Sequence, residues 1–379
     1  CHQLRRPIFK KNFPRMADQY VSMDNLRFLL YEVHGLEELL EAPRYADYDR
    51  TAIDILLDSF KDFADQELHP FFREMDEQPA RYEDGKIIVH PQLERILQQL
   101  GEMGWFGASF ATEHRGMQMP QLVFNAIAFL LEAANNHVTG YAGLTTGAAN
   151  LILSFGSQEL IDRYASRMAT GEWAGTMALT EPQAGSSLSD ITTTAYPQAD
   201  GSYRIVGQKI FISGGDHEYA DNFVHLTLAR IEGAPAGTKG ISLFAIPKYR
   251  LTDAGDLEPN DVTTAGDFQK MGQRGYCTTH LVFGERDDCR GWLVGAPHHG
   301  LKYMFKMMNE ARIAVGRGAA AIATAAYYAS LQYARERPQG RRLERGGKKD
   351  LASEQTLIIK HPDVRRMLLL QKAVTEGAL

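Results

Sequence analysis

Met177-Ala-Leu-Thr-Glu-Pro-Gln-Ala-Gly-Ser186 marks the point where this chain changes character. The residues before it, from Trp173 to Leu179, read as a short strand. The residues after it are small or hydrogen-bonding, and Pro182 and Gly185 break any regular element. A loop of this kind lets backbone N–H groups and hydroxyls approach an anion or a heteroaromatic ring without steric obstruction. An ordinary strand-to-loop exit reads the same way, and the stretch alone leaves both open.

Working upstream, the pattern is helical. Ile53, Leu56, Leu57, Phe60, Phe63, Leu68, Phe71, Phe72 and Met75 recur at three-to-four spacing, which predicts an amphipathic helix over 51–77. Pro91 suits the first turn of a helix carrying Leu93, Ile96, Leu97 and Leu100. Segments 121–135 and 140–155 read as helices. Ser157 is placed to cap another that runs to Met168.

Working downstream, short β-rich runs follow at regular spacing. Tyr203–Val206 and Lys209–Ser213 flank Gly207-Gln208, a hairpin signal. Asn222–Arg230, Gly240–Pro247 and His280–Phe283 are further strands. From His298 the helical period returns through Met304, Phe305 and Met308, and a long Ala-rich stretch runs to Arg337 before Pro338 and Gly340 break it. A charged run, Arg341 to Asp350, reads as an exposed loop, and His361–Val374 as another helix. The fold class is therefore α+β. The expected order is an N-terminal helical domain (16–170), a central small β-barrel or sandwich (171–295), and the start of a C-terminal helical bundle (296–379). That last helix pair leaves an apolar face uncovered, so the reading expects either a partner chain or a longer polypeptide. Residues 1–15 carry five basic residues and no acid, and read as a non-native or disordered arm ahead of Met16.

Bulk properties exclude several classes. A hydrophobic share of 44% and a charged share of 23% are globular values, and the net charge of −6 offers nothing to nucleic acid or an anionic membrane surface. Three cysteines, Cys1, Cys277 and Cys289, make no metal-binding pair and no disulfide framework, so a reducing compartment and no structural metal are expected. No apolar run has the ~18 residues needed to span a bilayer.

Two more segments carry chemistry. In Gly207-Gln-Lys-Ile-Phe-Ile-Ser213, alternation sets Phe211 and Ser213 on one face, to stack on a ring and hydrogen-bond it; Phe211 as plain core is the other reading. In Met308-Asn-Glu-Ala-Arg312, the arginine interrupts an apolar stretch, and a partly buried arginine needs an anion, a carbonyl or a structural salt bridge.

Together, in this order, the three segments resemble the acyl-CoA dehydrogenase family over nearly everything from Asp24 onward. The N-terminal extension and the charged insertion look like its larger subgroup, which includes 3-methylmercaptopropionyl-CoA dehydrogenase. The resemblance implies an FAD cofactor. The backbone of Met177 and Leu179 and the side chain of Thr180 would face the pyrimidine end of the flavin. Ser186 would lie near the pyrophosphate and the CoA entrance, and Phe211, Ile212 and Ser213 on the other flank. Asn309 and Arg312 would line the acyl-CoA pocket. Arg337 and Gln339 would reach the FAD of a neighbouring subunit, implying a homodimer or homotetramer, although Gly340 stands where the family more often has an aromatic. Gln183 likewise replaces the commoner glycine. The implied reaction is α,β-dehydrogenation of an acyl-CoA thioester to trans-2-enoyl-CoA, with electrons passing to an electron-transfer flavoprotein in the cytoplasm. The catalytic base is unassigned. Ala311 stands where some relatives carry it, Glu310 is turned roughly 100° away, and a glutamate beyond Leu379 is expected. An oxygen-using relative (acyl-CoA oxidase or nitroalkane oxidase type) and a non-catalytic FAD-binding or scaffold relative are the alternatives; peroxide formation separates the first and a salt-sensitive DNA shift would revive the scaffold reading.

Overall fold

Helix α1 (Arg50–Phe63) starts where Asp49, in extended conformation, accepts the Ala52 N–H on its side chain at 2.7 Å. It buries Ile53, Leu57, Phe60 and Phe63, the stripe that the spacing predicts. The predicted single helix to Glu77 is interrupted. A wide turn over Ala64–Leu68 and a tight one over His69–Phe71 precede the last segment, Phe72–Glu77. Pro70 lacks an amide hydrogen and cannot continue the regular ladder.

In this computed structural model, residues 16–252, 254–342, 346–347 and 352–379 are described. The predicted N-terminal arm, and Glu344, Arg345, Lys348 and Lys349 of the charged run, lie outside them. Two compact units result: Asp24–Ala319, and the residues up to Met23 with Ala320–Leu379.

In the larger unit, α2 (Gln92–Glu102) begins directly after Pro91, and α3 (Gln121–Ala134) and α4 (Thr139–Phe155) are largely buried. The Ser157 cap forms, its hydroxyl accepting from Leu160 N–H at 3.3 Å. A small hairpin, Arg81–Glu83 with Lys86–Ile88, was not expected from the helical pattern. Its turn is Asp84-Gly85, both at positive φ (50° and 83°), the conformation that Asp-Gly favours.

Among the described residues, eight strands form the main sheet of the β region: β1 (Trp173–Ala178), β2 (Thr194–Pro197), β3 (Tyr203–Ser213), β4 (Asn222–Ile231), β5 (Ile241–Pro247), β6 (Val262–Asp267), β7 (Thr278–Phe283) and β8 (Arg290–Leu293); Tyr249–Leu251 and Leu257–Pro259 make a separate pair. They pair in the order β6-β7-β3-β8-β5-β4-β1, and β2 pairs with both β3 and β4. That double pairing closes β3, β8, β5, β4 and β2 into a ring, a small barrel. Ala195, Ile205, Ala229, Phe244, Ile246 and Phe283 fill it. A second core, with Trp173, Leu226, Leu243, Ile152 and Met168, joins α4 to the outer face.

The predicted hairpin at Gly207-Gln208 is absent, and β3 runs unbroken from Tyr203 to Ser213. Gly207 serves a close approach instead: an added Cβ would lie 2.4 Å from Thr193 Oγ1. Helix α5 (Gly300–Glu336) is one uninterrupted element of 37 residues. In the smaller unit Tyr327 and Ala334 of its distal part pack against Leu368 of α6 (Pro362–Gly377). Met367, Leu369, Leu370 and Val374 of α6 are exposed, the uncovered apolar face that the pattern anticipates.

Among the described residues, no helix is long and apolar enough to cross a membrane, and no group of three metal-ligating side chains exists. Cys277 and Cys289 are free and buried.

Candidate functional site

The site is built at the open edge of β1. This strand pairs on one side only, in parallel with β4. Gly175 N–H turns away from β4 and donates to Thr145 Oγ1 of α4 at 3.0 Å. Backbone direction alternates along a strand, so Met177 and Leu179 face the same open side. Past the strand end, Leu179 N–H and Thr180 N–H have no acceptor among the described residues. Adjacent unsatisfied backbone donors are uncommon and form a ready seat for electronegative ligand atoms.

The loop is held by a residue turned away from that seat. Glu181 is buried and accepts six hydrogen bonds: from Lys209 Nζ (2.8 Å), Thr192 N–H and hydroxyl (2.6 and 2.9 Å), Thr193 N–H and hydroxyl (3.1 and 2.6 Å) and Gln183 Nε2 (2.8 Å). Lys209 also donates to Leu179 C=O at 2.9 Å, and Ile210 N–H to Thr180 C=O at 2.9 Å. Neither side chain of the Glu181–Lys209 pair is more than 1% exposed. Burial alone pushes the Glu181 carboxyl up, but Lys209 and the threonine donors outweigh it and hold it at about 2. Burial pulls Lys209 down from its ordinary value, and the Glu181 carboxylate 2.8 Å away opposes the fall and favours the ammonium. The pair fastens the β1 exit, the start of β2 and the middle of β3 to one another.

On β3, Phe211 has φ +59° and sits in a register shift opposite β7, where Thr279 pairs Ile212 and Leu281 pairs Lys209. This bulge breaks the simple alternation expected of Phe211 and Ser213. It turns Phe211 outward, 55% exposed, with its ring 4.3 Å from that of Phe268. Phe211 is therefore not core. Ile212 is, with its side chain in the barrel and its carbonyl accepting from Thr279 Oγ1 at 3.1 Å, so only its backbone is left for a ligand. Met177, Thr180 and Ser213 are half-buried and Ser186 is exposed.

Arg312 is exposed and not the partly buried arginine expected; its guanidinium donates to Asn309 Oδ1 at 2.7 Å. The partly buried one is Arg317. Its guanidinium donates to both Glu132 oxygens at 3.0 and 2.9 Å and to Asn125 Oδ1 at 2.5 Å, fastening α5 to α3. Burial pushes the Glu132 carboxyl up, and Arg317 opposes the shift. Glu310 accepts from Asn150 Nδ2 of α4 at 3.0 Å, and burial raises its carboxyl too. It is engaged with α4, in keeping with its turn away from the Ala311 direction. Arg337 and Gln339 are exposed and belong to the smaller unit, where Gln339 N–H donates to Thr356 C=O at 2.8 Å.

Residues 52–172 match the acyl-CoA dehydrogenase N-terminal domain and residues 176–285 its middle domain. The chain is 30% identical to the short-chain specific acyl-CoA dehydrogenase of Clostridium acetobutylicum, across 75% of this chain and 69% of that one. This chain belongs to the acyl-CoA dehydrogenase family. It is 37% identical to 3-methylmercaptopropionyl-CoA dehydrogenase of Ruegeria pomeroyi over 93% of its length, and spans 59% of that relative. A solved acyl-CoA dehydrogenase from Bacillus anthracis, complexed with FAD, superposes with a TM-score of 0.69 at 25% identity, across 87% of this chain and 49% of that one.

Proposed function

We propose that this protein binds FAD at the β1 exit and serves α,β-dehydrogenation of an acyl-CoA thioester to the trans-2-enoyl-CoA. The observation that carries the reading is the pair of acceptor-free N–H groups at Leu179 and Thr180, held rigid by the buried Glu181–Lys209 pair and flanked by the outward-turned Phe211. The site residues fit the cofactor. Met177, Leu179 and Thr180 offer backbone groups to the pyrimidine edge of a flavin, Phe211 an aromatic face, Ser213 a hydroxyl, and Ser186 a hydroxyl at the exposed mouth. Bound FAD supplies the hydride acceptor.

The remaining chemistry falls to side chains. A thioester α-proton is weakly acidic, and a carboxylate removes it only when hydrogen bonds stabilise charge on the thioester oxygen as it develops. Glu310 is held by Asn150 and Ala311 has no acid, so neither is assigned that role. We place the base on a glutamate outside these residues. Asn309 and Arg312, hydrogen-bonded to each other at the surface of α5, are assigned to the CoA side. Electron transfer to an electron-transfer flavoprotein, Arg337 and Gln339 reaching a neighbouring subunit's FAD in a homo-oligomer, and a cytoplasmic location belong to the same proposal.

Titrating the chain with FAD, and then following enoyl-CoA formation with a dye acceptor, tests the reading. Stoichiometric binding with weak turnover is expected. Failure to bind FAD refutes the proposal, and normal turnover refutes the placement of the base.

A further inference from the structure

The acceptor-free donor of Thr180 and the carbonyl of Leu179 are two ends of one peptide unit. The carbonyl end receives the Lys209 ammonium at 2.9 Å, and Lys209 is wholly buried. A trans peptide points its N–H opposite to its C=O, so the Thr180 N–H is directed away from the lysine. Hydrogen bonds in series polarise one another, and do so more strongly where water is excluded. An ammonium on the carbonyl withdraws electron density from the amide and makes the N–H a stronger donor. Glu181 keeps this lysine in place, and Thr192 and Thr193 hold Glu181 through both backbone and hydroxyl.

We propose that Lys209 is a positioning and tuning residue that sets the reduction potential of the bound cofactor through the Leu179–Thr180 peptide. This inference rests on the FAD reading given above. A flavin gains negative charge at its pyrimidine end on reduction, so a stronger donor there favours the reduced form and raises the potential. Lys209 never touches the cofactor. Its effect passes through one peptide bond, and the pairing with Glu181 keeps the region close to neutral.

The test is the two-electron midpoint potential of the FAD-loaded chain, measured against a reference dye, in the wild type and in Lys209→Met/Glu181→Gln. The double variant keeps one side-chain acceptor, enough for either Thr192 or Thr193, and leaves no charge unpaired. It is expected to bind FAD and to show reduction disfavoured about threefold, a fall of about 14 mV for two electrons. A potential indistinguishable from wild type overturns the inference while leaving the FAD reading intact; loss of FAD binding by the wild-type chain overturns both. If the double variant does not fold, Lys209→Gln/Glu181→Gln is read instead, a neutral hydrogen-bonding pair in place of the ionic one. It leaves no ammonium on the Leu179 carbonyl, so the potential is again expected to fall. No fall in the variant read overturns the proposal.

Discussion

Replacing Lys209 by methionine, with Glu181 intact, tests the frame of the site most directly. The change removes a bond of 2.8 Å to Glu181 and one of 2.9 Å to Leu179 C=O, at a position with no solvent exposure. Stranding a buried charge costs about 3–5 kcal/mol. Glu181 retains five donors, from Thr192, Thr193 and Gln183, which places the loss near the lower end. The orphaned carbonyl adds about 1 kcal/mol. The sum is about 4 kcal/mol, roughly a thousandfold in the folding equilibrium and a large part of the 5–15 kcal/mol typical of a domain. Urea unfolding followed by tryptophan fluorescence reads it, since Trp173 is buried in the adjoining strand. Adding Glu181→Gln is expected to recover at least about half, as coupled neighbours do in a double-mutant cycle. A loss below about 1 kcal/mol for Lys209→Met, or no recovery in the double variant, refutes the reasoning.

Three further outcomes are expected. Phe211→Ala leaves the melting temperature of the FAD-free chain nearly unchanged, because the ring is 55% exposed, but weakens FAD binding about tenfold in a fluorescence titration. Arg317→Met strands Glu132 and lowers stability by about 3 kcal/mol, and Glu132→Gln in the same chain restores most of it by thermal unfolding. His137, His217 and His225 are buried, which lowers their imidazoles from 6.5 to about 4, 4 and 3. The unfolded chain therefore binds protons that the folded one refuses, and stability falls as pH drops through 6.5, by up to about 4 kcal/mol per pH unit with all three engaged. A urea midpoint that stays flat between about pH 7 and pH 5 contradicts this.

Much of the fold is legible in the sequence because its elements obey local rules. The α1 stripe, the Ser157 cap and the strands at Trp173, Tyr203–Ser213, Asn222, Ile241 and Thr278 follow from spacing and composition, whereas β2 and β6 are not read from the sequence. What escaped depends on tertiary contact. Gly207 signals a turn until Thr193 is seen pressing against it. Phe211 obeys strand alternation until the bulge opposite β7 inverts its backbone. Arg312 and Arg317 are about 1.4 helical turns apart, and only the position of Glu132 on α3 decides which is partly buried. The Asp84-Gly85 turn, by contrast, was readable from its dipeptide and lay hidden in a stretch dominated by helical period. At the site, the loop stands out in the sequence, but the role of its glutamate does not. Nothing local says that Glu181 meets Lys209 rather than a ligand.

That arrangement separates two kinds of position within one short segment, and laboratory diversification can use it. Pro182, Gly185, Ser186 and Ser187 are exposed and leave the Glu181 network untouched, so they can be randomised together to recast ligand preference. Glu181, Thr192, Thr193 and Lys209 behave as one inherited block. A library that varies one of them alone will mostly sample destabilised chains, whatever ligand it was meant to select.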